Sequence, residues 1–313
     1  MDEFEHIARH LAPLAGEGAL GLKDDVGLIG GYAVTKDVIV QGTHFLASDP
    51  LDSVAWKAVA VNASDLIAKG CRPGAVMLGC VWNDPGEAML AAFAAGLGEA
   101  LRAYDCVLLG GDTTRDAGPP PGRMMVSVTM MGRPIGEGIV PRSGARAGDA
   151  LYVGGAIGEG HAGLQAALGQ ADLGQAAVGA YRRPAPPLAL ADVIARHAGA
   201  SIDVSDGLLA DAGHLAASSG VRAVIEHAAV PLGPAARAWA EATGDRGAAL
   251  TGGDDYVPLC AVRPENETAF RAQAEAAGVA VTRIGACGPG DGVALQAEDG
   301  ARQVIEGGGF LHF

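Results

Sequence analysis

The sequence predicts an α/β (α+β) protein of two domains, and three observations support this prediction. Strand-like and helix-like segments alternate along the chain, and a turn-rich stretch near residues 140–150 interrupts them. The length of 313 residues allows one large domain or two ordinary ones. Apolar residues make up 49% of the chain and charged residues 19%, which excludes a disordered protein. Because aromatic residues contribute only 4%, the core must consist mainly of Ala, Val, Leu and Gly.

The first half of the chain alternates between apolar runs typical of strands and segments with helical spacing. Residues 4–15 predict a short helix. Apolar residues recur near one helical face of Val54–Gly70, and Glu87–Ala103 is rich in alanine, so both segments are predicted helices. A short buried strand is predicted at Val107–Leu109, ending at two glycines. The other predicted strands are Tyr32–Val40, which Lys36 and Asp37 interrupt, Ala75–Trp82 and Met124–Gly132.

A domain boundary is predicted in the turn-rich segment Val140–Asp149, which leads into a strand at Ala150–Val153. We therefore expect an N-terminal domain at residues 1–147 and a C-terminal domain at residues 148–313. Strands and helices alternate again after this boundary. The predicted strands are Ile202–Val204, Ala223–Glu226, Tyr256–Val262 and Val281–Gly285, and the predicted helices are Gly207–Ser218, Ala235–Ala242 and Glu265–Gly278.

The charge and the cysteines indicate which partners and which compartment to expect. A formal net charge of −14 argues against nucleic acid and against an anionic membrane surface as partners. No run of about 18 apolar residues is free of glycine breaks and charges, so no membrane span is expected. The acidic N-terminus lacks a signal-peptide pattern. The five cysteines are odd in number and form no CxxC pair, which fits small buried side chains in a reducing cytoplasm.

Familiar nucleotide-binding motifs give little support to a dinucleotide or P-loop site. The sequence contains no GxxxxGK[ST] motif. Residues 158–163 match GxGxxG, follow a predicted strand and precede an alanine-rich segment. However, Arg182 and Arg183 stand where a dinucleotide site requires an acidic residue. A tight turn between a strand and a helix is the better interpretation of these glycines.

Aspartates with small neighbours recur at strand ends and in glycine-rich loops. Carboxylate oxygens are preferred ligands of Mg²⁺, and small neighbours leave room for its waters and for phosphate oxygens. An isolated loop aspartate is usually a cap or turn residue, and Asp206 could simply cap the helix that follows it. Asp65 is harder to explain in this way, because it lies inside an apolar helical stretch. Together the residues favour a phosphate site with several metal ions; they are Asp24, Asp25, Asp37, Asp65, Asp112, Asp203, Asp206, Asp254 and Asp255.

An ordered series of short motifs carries a family resemblance. The series runs Lys23-Asp24-Asp25, Asp37…Gly42-Thr43-His44-Phe45, Lys57-Ala58…Val61-Asn62-Ala63-Ser64-Asp65-Leu66, Gly110-Gly111-Asp112-Thr113-Thr114-Arg115, Arg142-Ser143-Gly144, Asp203-Val204-Ser205-Asp206-Gly207-Leu208 and Gly252-Gly253-Asp254-Asp255-Tyr256. It resembles the thiamine-monophosphate kinase family, within the aminoimidazole-ribonucleotide-synthetase-like superfamily. The match extends from about residue 20 to the C-terminal residues 309–313, so it covers nearly the whole chain.

The resemblance implies a two-domain PurM-like architecture and an enzymatic activity. The N-terminal domain is expected to bind ATP and Mg²⁺ and to form the interface of a homodimer. The C-terminal domain is expected to complete the ATP and substrate site. The implied reaction is the ATP-dependent phosphorylation of thiamine monophosphate to thiamine diphosphate, with ATP as co-substrate and several Mg²⁺ ions as cofactors.

The resemblance also implies roles for individual residues, carried over position by position. The implied Mg²⁺ ligands are Asp25, Thr35, Asp37, Asp65, Asp112, Asp203 and Asp206. The implied ATP-binding residues are Tyr104, Gly111, Asp112, Arg142 and Ser205, and the implied substrate-binding residues are His44, Asp254 and Phe310. Three structural alternatives stay open: a surface ion pair for Arg142, a structural histidine for His44 and simple packing for Phe310.

Elementary chemistry fits this activity without a dedicated general base. The acceptor is itself a phosphate whose second pKa is about 6, so it is largely ionised at neutral pH. Catalysis then consists of alignment and charge neutralisation. Since the protein and both substrates are anionic, cations are needed between the carboxylates and the phosphates.

The sequence departs from the family pattern at three positions, which leaves alternatives open. Lys23 replaces a glycine, Lys36 follows Thr35 where the family has Ser-Thr, and Asp254 replaces a glutamate. The lysines could each replace part of a metal ion's charge, or could point to solvent.

The alternative functions are another ATP-using ligase or synthetase of the superfamily, and a binding protein that has lost catalysis. A selenophosphate synthetase-like enzyme is expected to carry a reactive cysteine near the N-terminus, whereas the first cysteine here is Cys71.

Overall fold

A computed structural model of the chain describes residues 3–83, 85–116 and 122–305. Within them, two β-sheets are formed by different halves of the chain. The first sheet contains only strands that end by Pro134, and the second contains only strands that begin at Ala150 or later. The two sheets and their helices confirm the predicted two-domain α/β class, and the boundary at residue 147 stays a prediction.

The N-terminal sheet has five strands in the order β1-β2-β5-β3-β4, and two long helices accompany it. Strands β3 and β4 are parallel, and the other neighbours are antiparallel. The elements are α1 (Glu3–His6), β1 (Gly27–Ile29), β2 (Tyr32–Val40), α2 (Leu51–Ala68), β3 (Cys71–Trp82), α3 (Glu87–Ala103), β4 (Val107–Arg115) and β5 (Met125–Pro134).

The C-terminal sheet has seven strands in the order β12-β11-β8-β10-β6-β9-β7. Only β8 and β11 are parallel neighbours. Its elements are β6 (Ala150–Gly154), α4 (Glu159–Ala167), α5 (Gly174–Arg182), α6 (Leu190–His197), β7 (Ala198–Asp203), α7 (Leu208–Ser219), β8 (Arg222–Glu226), α8 (Pro234–Thr243), α9 (Arg246–Thr251), β9 (Pro258–Val262), α10 (Glu267–Ala276), β10 (Val281–Gly288), β11 (Gly292–Gln296) and β12 (Arg302–Ile305).

Helix α2 is the element that joins the two units. It packs against β2, β3 and β5 of the N-terminal sheet and also against α6, β7 and β9 of the C-terminal unit. Small side chains permit this close packing, and Ala55, Ala60 and Ala63 are completely buried. The low aromatic content of the sequence therefore appears in the structure as a core of alanine, valine and leucine, as predicted.

Several local predictions were wrong. Residues 4–15 form α1 and two short helical turns, Ile7–Leu11 and Ala12–Leu14, rather than one helix. Strand β4 is longer than predicted and exposed along its length, because it is the edge strand of its sheet. Asp206 does not cap α7. Instead the Asp211 carboxylate accepts hydrogen bonds from the backbone N–H groups of Ser205 and Asp206, at 3.0 and 3.1 Å.

No helix within residues 3–83, 85–116 and 122–305 combines the length and apolar character that crossing a membrane requires.

Candidate active site

Three aspartates from distant parts of the chain meet where the two sheets approach each other. Asp25 precedes β1, Asp65 lies near the C-terminal end of α2, and Asp203 ends β7. One carboxylate oxygen from each lies within 4.8 Å of the other two. We call these three residues the acidic cluster. Such a set of convergent oxygens is what a hard divalent cation requires.

Strand β2 adds two more of the predicted ligands beside the acidic cluster. Thr35 and Asp37 are two positions apart, so their side chains lie on the same face of the strand. The Thr35 hydroxyl donates a hydrogen bond to Asp65, and the Asp37 backbone N–H donates to Asn62 at 3.2 Å. Among the described residues, nothing donates a hydrogen bond to the buried Oδ2 atom of Asp37. That oxygen is available to a ligand.

Burial and mutual repulsion make the carboxylates of this region hard to ionise. Burial, and then the charges of Asp37, Asp203 and Asp25, raise the pKa of Asp65 well above its ordinary value. Burial and the charge of Asp25 raise the pKa of Asp37 to about 6 and that of Asp203 to about 7. Raised values of this kind mark a site that gains stability from bound cations.

Asp25 behaves differently, because two cationic side chains contact it. Burial opposes its ionisation, but Lys69 and Arg142 outweigh burial and lower the pKa of Asp25. Lys69 Nζ lies 2.5 Å from Asp25 Oδ2 and 2.9 Å from Asp24 Oδ1. The guanidinium of Arg142 pairs with Asp25 Oδ1, and its backbone N–H donates to Asp24 at 3.1 Å. Arg142 is therefore part of the site rather than a surface ion pair.

The lysines that depart from the family pattern are not the lysines that the structure buries near the carboxylates. Lys23 is exposed, and Lys36 is exposed and donates a hydrogen bond to Ser127. Lys57 and Lys69 are instead buried, at 1% and 0% exposure. Their burial was not predicted, because a lysine in or beside a helix is ordinarily a surface residue.

Lys57 connects two of the residues predicted to bind substrate. Its Nζ lies 2.8 Å from Asp254 Oδ2, donates to the backbone carbonyl of His44 at 3.0 Å and lies 4.1 Å from the ring centroid of Tyr181. The hydroxyl of Tyr256 donates to Asp254 Oδ1 at 2.9 Å. Lys57 thus links the backbone of His44 to the side chain of Asp254, while the ring Nδ1 of His44 accepts a hydrogen bond from the Val40 backbone N–H at 3.1 Å. The roles of His44 and Asp254 in substrate binding stay predictions, and Phe310 lies outside the described residues.

Ser205 and Asp206 lie in the loop between β7 and α7, directly after Asp203. Asp206 forms a second acidic group with Asp211 and His214, again within 4.8 Å. Since Asp211 already accepts two backbone hydrogen bonds, its carboxylate shapes the loop, and the role of Asp206 as a metal ligand stays a prediction.

The remaining predicted residues lie elsewhere. Gly111 and Asp112 are on the exposed edge strand β4. Asp112 belongs to neither of the two possible metal-binding groups found among the described residues. A side chain at Gly111 would meet the Leu78 carbonyl oxygen at 1.7 Å, so glycine is required there. Tyr104 is 3% exposed and packs in the N-terminal core, with its ring 6.1 Å from that of Trp56. We therefore leave Tyr104 out of the candidate site.

The GxGxxG segment forms a tight turn before α4. The Asp255 side chain occupies the backbone N–H groups at the N-terminus of that helix. Gly158 precedes α4 with a positive φ of 86°. The Asp255 carboxylate accepts hydrogen bonds from the backbone N–H groups of Gly158 and Gly160, at 2.8–3.1 Å. These donors are not free for a dinucleotide pyrophosphate, and the structure supports the turn interpretation.

Comparison with known proteins shows which family shares this arrangement. The model of the N-terminal domain of AIR synthase related proteins matches residues 23–133, and that of their C-terminal domain matches residues 146–298. The thiamine-monophosphate kinase of Caulobacter vibrioides is 44% identical over 305 residues, covering 93% of this chain and 85% of that protein. The thiamine-monophosphate kinase of Escherichia coli K12 is 35% identical, covering 99% of this chain and 98% of that protein.

A solved structure matches the fold over its full length. AaThiL complexed with AMPPCP and TMP has a TM-score of 0.87 at 31% identity, covering 100% of this chain and 97% of that chain.

The raised pKa values predict an unusual effect of Asp65→Asn on stability. A carboxyl group whose pKa is raised in the folded state stabilises the protein below its unfolded pKa, and this contribution is lost as pH rises through the folded pKa. Asparagine does not ionise. We therefore expect Asp65→Asn to stabilise the protein in the presence of EDTA by about 1–2 kcal/mol at pH 8 and by less at pH 5.

Urea unfolding of both proteins at the two pH values measures this difference. Asp192→Asn is the matched control, because Asp192 is partly exposed and pairs with Arg72 at 3.0 Å, away from the acidic cluster. Destabilisation by Asp65→Asn at pH 8 would show that the carboxylates do not repel one another in the folded protein.

Proposed function

Because the chain belongs to the thiamine-monophosphate kinase family, we propose that it transfers the γ-phosphoryl group of ATP to thiamine monophosphate. The products are thiamine diphosphate and ADP. The observation that carries the proposal is the acidic cluster between the two sheets, in a chain that matches AaThiL complexed with AMPPCP, an ATP analogue, and TMP over its full length. This activity places the protein in thiamine diphosphate biosynthesis.

Magnesium ions are the proposed cofactors, and the donor set fits them. The unpartnered Oδ2 of Asp37 and the raised pKa values of Asp65 and Asp203 are expected of a site that is completed by cations. When bound, the ions neutralise phosphate charge and so favour phosphoryl transfer. The proposed ligands are Asp25, Thr35, Asp37, Asp65, Asp112, Asp203 and Asp206.

ATP is proposed to bind beside the acidic cluster through Arg142, Ser205, Gly111 and Asp112. The Nε atom of Arg142 is buried and, within the described part of the chain, donates no hydrogen bond. A guanidinium with an unused donor next to a metal site is suited to a phosphate oxygen.

The two domains are proposed to divide at residue 147, so that residues 148–313 complete a site begun by residues 1–147.

The reaction needs no proton acceptor from the protein. The phosphate of thiamine monophosphate is the nucleophile and is largely ionised at neutral pH. The protein's contribution is therefore alignment. Arg142 holds the donor phosphates, and the group formed by His44, Lys57 and Asp254 holds the acceptor, with Phe310 as a further proposed substrate contact.

A homodimer formed through the N-terminal domain is also proposed. Strand β4 is an exposed edge whose side chains Val107, Leu108 and Leu109 are 59, 46 and 62% exposed. An apolar edge strand is prone to pair with another chain. Gly111 and Asp112 lie on the same strand, so dimerisation would place them at the interface.

A cytoplasmic location is proposed as well, in keeping with five cysteines that are all free thiols.

The dimer proposal predicts that Leu109→Glu yields a monomer, because a buried interfacial charge without a partner is costly. Sedimentation velocity measures the change. Val304→Glu on edge strand β12 is the matched control, since Val304 is 53% exposed and the β12 edge is not part of the proposed interface. A parent protein that sediments as a monomer at micromolar concentration would contradict the proposal.

The central prediction is that the purified protein converts thiamine monophosphate to thiamine diphosphate with ATP and Mg²⁺. Chromatography of the thiamine phosphates, with ADP measured in parallel, gives the stoichiometry, and EDTA should abolish the reaction. We expect Asp65→Asn to lower kcat by about 100-fold or more, because an anionic metal ligand is lost.

Asp192→Asn should retain parental turnover in the same assay. Folded protein that binds ATP but forms no thiamine diphosphate across a range of Mg²⁺ would favour the binding-protein alternative. ADP release that needs a different acceptor would favour a ligase of the same superfamily.

A second prediction concerns the acceptor side. Asp254→Ala should raise the KM for thiamine monophosphate by about tenfold, with a smaller effect on the KM for ATP, because it releases Lys57 from its place beside His44. Steady-state kinetics with each substrate varied in turn separate the two values. Asp291→Ala, in the exposed turn between β10 and β11, serves as the control. An unchanged KM for thiamine monophosphate would remove Asp254 from the acceptor site.

A further inference from the structure

The ammonium group of Lys69 lies beside the acidic cluster, and the oxygens around it resemble those around a bound metal ion. It follows α2, and its side chain is 0% exposed. Its Nζ lies 2.9 Å from Asp24 Oδ1, 2.5 Å from Asp25 Oδ2 and 2.5 Å from the backbone carbonyl oxygen of Ser201. Three oxygens therefore lie within 2.9 Å of one ammonium group. Two carboxylates and a carbonyl are also a typical ligand set for a hard metal ion.

The positive charges of the chain are placed unevenly around the acidic cluster. Asp25 faces Lys69 with one carboxylate oxygen and Arg142 with the other. In the described ranges, by contrast, no lysine or arginine forms an ion pair with Asp37, Asp65 or Asp203. Their partners are hydroxyl groups, from Thr35 to Asp65 and from Ser64 to Asp203 at 2.7 Å. One side of the region is neutralised by ion pairs. On the other side the charges of Lys36 and Arg142 oppose the effect of burial on the pKa values of Asp37 and Asp203, but within the described ranges neither cation forms an ion pair with them, and both pKa values stay raised.

We infer that Lys69 is a permanent cation of the metal site, taking the place of one divalent ion at Asp24 and Asp25. Bound metal ions are then directed to the side formed by Asp37, Asp65 and Asp203. Asp25 pairs with Lys69 and Arg142 rather than with Mg²⁺, so it leaves the set of ligands proposed above. This inference rests on the proposed function, since it assumes that the acidic cluster binds Mg²⁺. It assigns a positioning role to a lysine that neither composition nor motif pointed to.

The covalent attachment of this cation has a consequence for how the site is assembled. Lys69 follows a helix of the N-terminal unit, whereas Ser201 belongs to β7 of the C-terminal unit. The ammonium group thus links the two units and holds Asp25 in place without any metal ion. A divalent ion at the same place would make this link depend on the metal concentration.

The experiment counts bound divalent ions in the parent protein and in Lys69→Met. Mn²⁺ is the probe, because free and bound Mn²⁺ are distinguished by electron paramagnetic resonance. We expect Lys69→Met to bind one additional equivalent of Mn²⁺, and Lys69→Arg to bind the parental number. Lys36→Met is the matched control: Lys36 is an exposed lysine of β2 that bonds to Ser127, and its loss should leave the number unchanged.

An equal number of Mn²⁺ ions in the parent and in folded Lys69→Met would overturn the inference. So would an additional ion in Lys36→Met as well, because the effect would then reflect net charge alone. If the parent binds Mn²⁺ but forms no thiamine diphosphate, the proposed function fails while the comparison of the variants still decides the role of Lys69. Absence of Mn²⁺ binding by both proteins would overturn the inference and the proposed metal site together.

The melting temperature provides a second test, because a lysine with only a structural role would not make the stability of its variant depend on Mn²⁺. Lys69→Met leaves two buried carboxylates less compensated, so we expect it to melt below the parent in EDTA. Because a divalent ion can take the place of the ammonium group, Mn²⁺ should raise its melting temperature more than that of the parent. If neither Lys69→Met nor Lys69→Gln folds with Mn²⁺ present, a metal ion cannot replace this cation, and the inference is wrong.

Discussion

The acidic cluster holds three carboxylates within 4.8 Å of one another, although burial and mutual repulsion oppose the ionisation of Asp65 and Asp203, and burial opposes that of Asp25. Placing one buried charge without a partner already costs several kcal/mol. The arrangement persists because the packing of the two sheets around α2 fixes the backbone positions of Asp65 and Asp203. The unfavourable energy of this site favours the binding of cations, and the Mg²⁺ ions proposed above would allow a protein of net charge −14 to accept two phosphate substrates.

Helix α2 connects this site to the acceptor side, and its sequence meets opposite demands. Its small apolar residues allow it to be buried by both units, which a helix with larger side chains would not permit. It also carries buried polar groups: Lys57 points to Asp254, Ser64 and Asp65 point to the acidic cluster, and Lys69 follows directly after its last turn. Any displacement of α2 would therefore move the metal side and the acceptor side together. This coupling favours a rigid site, as expected of catalysis by alignment.

The sequence allowed the main strands and both long N-terminal helices to be predicted, since these have clear periodicity. The predictions failed where tertiary context decides. The apolar run at Val107–Leu109 has the composition of a buried strand, but β4 is an exposed edge, and only sheet order distinguishes the two. The short elements β1, β11 and β12 were missed, because three to five residues carry little periodic signal.

The site was predicted in part for a similar reason. Aspartates beside small residues stand out in a sequence, and Asp25, Asp65 and Asp203 do converge in the structure. The buried lysines do not stand out, since a lysine in a helix is ordinarily a surface residue. Their acidic partners are 44 or more positions away, and only the folded chain brings them together.

The replacement of a glutamate by Asp254 shows how the fold accommodates a change in the site. An aspartate is one methylene group shorter, and its backbone here has a positive φ of 66°, which is uncommon for a residue other than glycine. Both carboxylate oxygens are nevertheless engaged, one by Lys57 and the other by the hydroxyl of Tyr256. The carboxylate therefore neutralises a buried ammonium group, which would otherwise be unpaired beside His44. In the proposed acceptor site Asp254 acts through Lys57, and its influence on substrate binding does not require that the shorter side chain reach the substrate itself.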